Sequence, residues 1–150
     1  MPSSLSMVIL HLVFGTKNRH PWIREDLQPK LHGFLADSCR KAGSHAFRVG
    51  GTENHVHIAC SLPRTVAISK LLEDIKKFSS SWIKKQDPDC LNFAWQAGYG
   101  AFSVGKSQLP ALIHYIDRQK EHHQKRNFRA EYIELLEKYG IEYDTDTLWE

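Results

Sequence analysis

Apolar positions along the chain fall into runs that alternate between two kinds of spacing. SMVILHLVF (6–14) is apolar and β-branched throughout, broken by His11, and predicts a central strand. TKNRHPW then turns the chain, with Pro21 as a breaker. From Glu25 to Ala42, residues Leu27, Leu31, Phe34, Leu35 and Cys39 recur at helical spacing. Pro29 suits only a first helical turn, and Gly43 suits a C-terminal cap. HAFRVG (45–50) and HVHIACSL (55–62) predict two strands joined by GTEN in a hairpin-like connection. In the second helix Ile68, Leu71, Leu72, Ile75, Phe78 and Trp82 mark one face, with lysines on others. The glycine- and aromatic-rich NFAWQAGYGAFSVG (92–105) ends in a strand at GAFSV. Ser107 can cap a third helix over 108–126, with Pro110 in its first turn. A fourth helix, about 129–139, ends at Gly140.

The order βαββαβ followed by two helices predicts an α+β, ferredoxin-like domain: an antiparallel sheet with helices on one face, plus C-terminal helices. The expected division is a core over 1–106, a helix over 107–126, and a last helix with an acidic tail over 127–150. No repeat or low-complexity linker interrupts this single domain. The fold hosts many activities, so function has to come from particular residues.

Composition is that of an ordinary globular protein, but charge is segregated. Net charge is +3. Residues 131–150 sum to −6, and the first 130 residues carry +9. A basic body is what nucleic acid attracts, although a solvated surface gives the same count. The three cysteines, Cys39, Cys60 and Cys90, form no CxxC pair, which argues against a disulfide framework or zinc knuckle and fits a reducing cytoplasm. No export signal or membrane-length apolar run is expected.

Candidate chemistry begins at NHVHIAC (54–60). Side chains alternate along a strand, so His55 and His57 share a face opposite Val56, Ile58 and Cys60. That spacing suits two imidazole nitrogens on one divalent metal, yet HxH alone fits two exposed histidines equally well. On the third helix, Tyr115, Gln119 and His122 form a polar stripe beside the apolar Leu109, Ile113 and Ile116. A tyrosine hydroxyl can act as a nucleophile, and a glutamine oxygen can join two imidazoles around a hard cation. An edge-packed tyrosine is the alternative.

These residues resemble those of the HUH single-tyrosine transposases, the insertion-sequence-200-like family with its REP-associated relatives. NHVHIAC fits the HUH motif, HYIDRQKEHH resembles the tyrosine helix, and HLVFGTKNRHPWI, EDIKKFSSSWIKK and FAWQAGYGAFSV resemble other family segments, over roughly 6–143. Arg118 stands where many members have Asn. The resemblance implies cleavage and rejoining of single-stranded DNA at hairpin-bearing ends through a 5′-phosphotyrosine intermediate. Tyr115 would be the nucleophile, and His55, His57 and Gln119 would hold Mg²⁺ or Mn²⁺. It further implies a homodimer in which the tyrosine helix of one subunit completes the other's site, although REP-associated relatives can be monomeric.

Tyr115 must lose a proton during attack; His122 is a candidate to receive it, but a surface or DNA-contact role fits it better, as it does His114 and His123. Lys17, Arg19, Lys76, Lys77, Lys84, Lys85 and Arg126 are candidate phosphate contacts, although a solvated face accounts for the lysines equally well; Trp95 and Tyr99 are candidate stacking groups, with Trp95, like Phe102, fitting the core better. Competing readings are a non-catalytic, RRM-like nucleic-acid-binding module, a phosphoesterase that uses water in place of tyrosine, and an inactive transposase relative.

Overall fold

Strand β1 (Ile9–Gly15) is buried over its whole length, so both faces of the sheet must be covered. The computed structural model describes residues 3–150. After β1 come α1 (Gln28–Lys41), β2 (Ala46–Gly51), β3 (His55–Ser61), α2 (Ile68–Gln86), β4 (Gly100–Val104), α3 (Leu109–Asp117), α4 (Gln119–His122) and α5 (Phe128–Lys138). The sheet order is β2-β3-β1-β4 with antiparallel neighbours, which is the expected ferredoxin-like arrangement. On one face Leu10, Leu12 and Phe14 join Val56, Ile58 and Cys60 against Leu31 and Leu35 of α1 and Leu71, Leu72 and Ile75 of α2. On the other, Val13 and Phe102 pack against Phe128, Tyr132 and Leu136 of α5. The second face is therefore a small core as well as the face that carries the histidines.

Two features of the helices depart from the sequence pattern. In α2, Phe78 is 52% exposed while Ser79 is fully buried. Ser79 Oγ donates to Ile75 O (2.7 Å) and accepts from Trp95 Nε1 (2.9 Å), which ties α2 to the segment before β4. Trp95 thus belongs to the core, wedged against Phe14 and Phe93. The helix expected over 108–126 is broken: Arg118 leaves helical geometry (φ −105°, ψ 23°) between α3 and α4. Ser107 does not cap it. It lies inside a 3₁₀ turn, Lys106–Gln108, and the residue adjoining α3 is Gln108. Helix α5 begins at Phe128, capped by Asn127 Oδ1 accepting from Ala130 N at 2.9 Å.

Glycines set how closely α3 approaches β2. A Cβ on Gly50 would stand 2.6 Å from Ile116 Cγ2 and 2.8 Å from Ile116 O. Because Ile116 is on the helix that carries Tyr115, overpacking there displaces the tyrosine. Gly50→Ala is expected to cost about 1–3 kcal/mol, read as a lowered midpoint in thermal denaturation. An unchanged midpoint would show that α3 yields freely.

Candidate active site

The register of the sheet gathers the polar groups. Gly15 faces His55, Val13 faces His57, and His11 lies between Ala59 and Phe102. His11, His55 and His57 therefore project from the same face, which α3, α4 and α5 cover. Both histidines of the HxH pair are fully buried, where the alternation alone allowed an exposed pair.

His55 is oriented from behind. Its Nδ1 lies 2.9 Å from Asn54 Oδ1 and 3.0 Å from Thr52 Oγ1. Burial first, then His57, lowers its pKa well below the ordinary histidine value, against the pull of Glu131. A neutral His55 that donates from Nδ1 to the Asn54 carbonyl keeps a bare lone pair on Nε2. That nitrogen is 2.8 Å from Gln119 Oε1, itself an acceptor. In this tautomer both lone pairs are free to face a cation; in the other, Nε2 donates to Gln119 Oε1 while Nδ1 accepts from Thr52 Oγ1. His57 Nε2 lies 3.0 Å from Glu131 Oε1, and its Nδ1 lies 2.8 Å from His11 Nε2. His11 is itself held neutral, its pKa lowered to about 3 by burial and by His57. It can fix the His57 ring from behind, as the outer partners of metal-binding histidines do.

Glu131 of α5 is the centre of the cluster and is fully buried. Its Oε1 meets His57 Nε2 at 3.0 Å, His123 Nε2 at 3.1 Å and His55 Nε2 at 3.5 Å. Its Oε2 accepts from Gln119 Nε2 at 3.0 Å and from the Tyr115 hydroxyl. Burial works to raise this carboxyl, but the hydrogen bonds from His123 and His57 and the surrounding imidazoles win and hold it well below the ordinary carboxylate range. Ligand atoms of His55, His57 and Glu131 lie within 4.8 Å of one another. Two imidazoles, a carboxylate and an amide oxygen suit a divalent ion, so the residues fit the cation that the sequence suggested.

Tyr115 stands at the border of this cluster. Its ring meets the edge of His57 at 5.7 Å between centroids and lies 4.7 Å from His122. Burial, then the charge of Glu131 and its hydrogen bond, raise the phenol pKa above the usual tyrosine value. Arg126 Nη2 is 3.4 Å from the hydroxyl, and Nη1 pairs with Glu134. Tyr115 and Glu131 both line a cleft of about 660 Å³ between α3 and α5, open to solvent. The phenol thus has the dry polar cluster on one side and an open approach on the other.

All four residues singled out from the sequence, His55, His57, Tyr115 and Gln119, come together here within one chain. Glu131, His11 and His123 were missed. A signal for Glu131 does exist: Phe128, Tyr132 and Leu135 define a helical apolar stripe, and Glu131 is a carboxylate inside it.

The candidate phosphate contacts scatter. Lys77, Lys84 and Lys85 are exposed on α2, and Lys17 is exposed in the turn after β1. Lys76 folds back: its ammonium donates to Gln96 O at 2.8 Å and to Gly98 O, lies over the Phe14 ring, and is lowered by burial to about 8. It secures the loop before β4 and is no free phosphate contact. Arg19 stacks on Trp149 at 4.9 Å, a tail residue that Arg129 flanks at 5.3 Å. Of the seven, only Arg126 adjoins Tyr115. No helix among the described residues is long and apolar enough to cross a membrane.

Two solved structures share this fold. A Deinococcus radiodurans R1 protein assigned as a transposase superposes with a TM-score of 0.62 at 18% identity, covering 79% of this chain and 95% of that one. A REP-associated tyrosine transposase bound to a REP hairpin superposes at 0.60 with 14% identity, covering 82% and 72%. No curated protein matches the chain. The family model described as "Transposase IS200 like" matches residues 4–119, a stretch that runs from before β1 through the HxH strand and Tyr115 to Gln119. The chain belongs to the IS200-like transposase family.

Proposed function

We propose that this transposase cuts and rejoins single-stranded DNA at hairpin-bearing ends, with Tyr115 as its nucleophile. His55, His57, Gln119 and Glu131 would hold one divalent cation, Mg²⁺ or Mn²⁺. The observation that carries the reading is the Glu131 carboxylate, whose one oxygen faces the paired imidazoles and whose other accepts from the Tyr115 hydroxyl. The bound cation would polarise the scissile phosphate and ease departure of the 3′ oxygen. The chain's own groups do the rest. Glu131 Oε2 takes the phenolic proton as Tyr115 Oη attacks phosphorus. The Oη–P bond forms, the P–O3′ bond breaks, the 3′ oxygen takes a proton from solvent and leaves as a hydroxyl, and the 5′ phosphate is left on the tyrosine. In rejoining, a 3′ hydroxyl attacks that phosphorus and the proton returns to the phenolate. Arg126, beside the hydroxyl, is placed to neutralise the phosphate as it enters the cleft.

The hairpin substrate follows the relative that was solved on a REP hairpin, and the exposed lysines of α2 supply charge for phosphates away from the cut. Since the tyrosine and the histidines meet within one chain, a site assembled within a subunit is the arrangement we favour; a homodimer, if one forms, need not exchange helices. A non-catalytic binding module has no use for a carboxylate and three imidazoles hidden from its ligand.

The test is incubation with labelled hairpin-bearing single strands and Mn²⁺, followed by a denaturing gel. The wild type is expected to yield a covalent protein–DNA species. His57→Ala is expected to lose cleavage while its strand affinity stays within about threefold, because the imidazole is buried away from the DNA surface. A folded His57→Ala protein that cleaves normally contradicts the reading.

A further inference from the structure

Strand β1 carries a single polar side chain in an otherwise apolar, buried run: His11, which is 3% exposed. Its ladder partner on β3 is Ala59, while His57 stands opposite Val13, so His11 and His57 are diagonal neighbours. Ala59 has only a methyl group, which leaves the His11 ring room to lean along the strand. The two rings stack at 5.0 Å between centroids and 25° between planes, and His11 Nε2 lies 2.8 Å from His57 Nδ1. Among the described residues, His11 is the one side-chain partner of that nitrogen. The other nitrogen of the ring, His57 Nε2, lies 3.0 Å from Glu131 Oε1.

An ionised carboxylate accepts hydrogen bonds and cannot donate them. With no cation bound, a neutral His57 therefore donates from Nε2 to Glu131 and accepts at Nδ1 from His11 Nε2. A cation needs the Nε2 lone pair. The ring proton must then sit on Nδ1 and donate to His11, whose Nε2 must be bare. The carboxylates and carbonyls that commonly stand behind metal-binding histidines only accept. One of those would leave His57 Nε2 bare against Glu131 whenever the site is empty, whereas an imidazole serves both arrangements. We infer that His11 is a positioning residue that lets His57 exchange protons between its two ring nitrogens as a cation is bound and released. The inference rests on the reading of His57 as a cation ligand. The exchange balances. One proton passes from His57 Nε2 to solvent, the His11 Nε2 proton crosses to His57 Nδ1, and His11, which lines the open cleft, takes one from solvent at its own Nδ1.

The test compares wild type, His11→Phe and His11→Gln by isothermal titration with Mn²⁺ in the absence of DNA. Phenylalanine keeps a flat ring against His57 and Phe102 but has no nitrogen. Glutamine brings an amide able to accept or to donate. Mn²⁺ affinity is expected to fall about 10–100-fold in folded His11→Phe and to stay within about threefold of wild type in His11→Gln. Melting curves report which variants fold. Where His11→Phe does not, the wild type alone decides through ¹H–¹⁵N correlation spectra of the His57 ring. On loading with Zn²⁺, a diamagnetic ion that imidazole binds, the protonated nitrogen is expected to change from Nε2 to Nδ1. Equal Mn²⁺ affinity in wild type and folded His11→Phe, equal losses in both variants, or a His57 proton that stays on Nε2 overturns the role of His11. If any of these accompanies Mn²⁺ binding by the wild type, the cation site survives and only the part of His11 falls. If the wild type binds neither ion, both fall.

Discussion

Tyr115→Phe is expected to abolish the covalent protein–DNA species and to slow strand cleavage by at least about 10³-fold, the scale on which removal of a nucleophile acts. Strand affinity should stay within about twofold. The substitution removes one oxygen and leaves the ring against His57 and His122. Glu131 keeps its bonds from His57, His123 and Gln119, so the cluster does not collapse. A denaturing gel reads the adduct, and melting curves confirm that the variant folds. The experiment also separates two chemistries. If water were the attacking group, cleavage would persist without the phenol and the gel would show cut DNA with no shifted band. The raised pKa of Tyr115 keeps the phenol protonated at rest.

The second large effect is expected for Glu131→Gln, a replacement of nearly equal volume. One oxygen of the carboxylate faces His57, His123 and His55, and the other faces Tyr115 and Gln119. An amide keeps one acceptor and turns an NH₂ toward groups that need a lone pair. Mn²⁺ affinity, measured by isothermal titration without DNA, should fall at least about tenfold. Adduct formation at saturating Mn²⁺ should fall about 10²–10⁴-fold, the range of general-base catalysis. The two readouts divide the roles. Slow adduct formation with unchanged Mn²⁺ affinity removes Glu131 from the ligand set and leaves it the proton. Normal rates with weakened Mn²⁺ binding do the reverse.

Much of this architecture could be read from residue order. The apolar run of β1 and the period-two pattern around His55 and His57 located the sheet, because burial on a strand leaves so regular a trace. The pairing of His55 and His57 with Tyr115 and Gln119 was also readable, and the convergence survived an error in the helix: Tyr115 and Gln119 do not sit on one continuous helix, yet both reach Glu131 across the break at Arg118. The break leaves no trace in composition, since Arg is an ordinary helix residue and the departure is imposed by packing. Phe78 and Ser79 exchanged places for a similar reason. A helical period narrows a face only to within a residue, and the buried position went to the side chain that can bond both Ile75 O and Trp95 Nε1. Glu131 escaped because an acid in a terminal helix within an acidic segment looks like solvent-facing charge. Its place in the stripe of Phe128, Tyr132 and Leu135 was the contrary sign. Lys76 shows the opposite failure, a lysine counted as available that is spent on two backbone carbonyls.

The placing of the tyrosine beside the histidines of its own chain has a kinetic consequence. A centre that works within one subunit has nothing to lose on dilution, since it needs no encounter between proteins. On the reading proposed above, cleavage per molecule is expected to stay constant as the protein is diluted, and a fall in specific activity on dilution would show that two copies share the work.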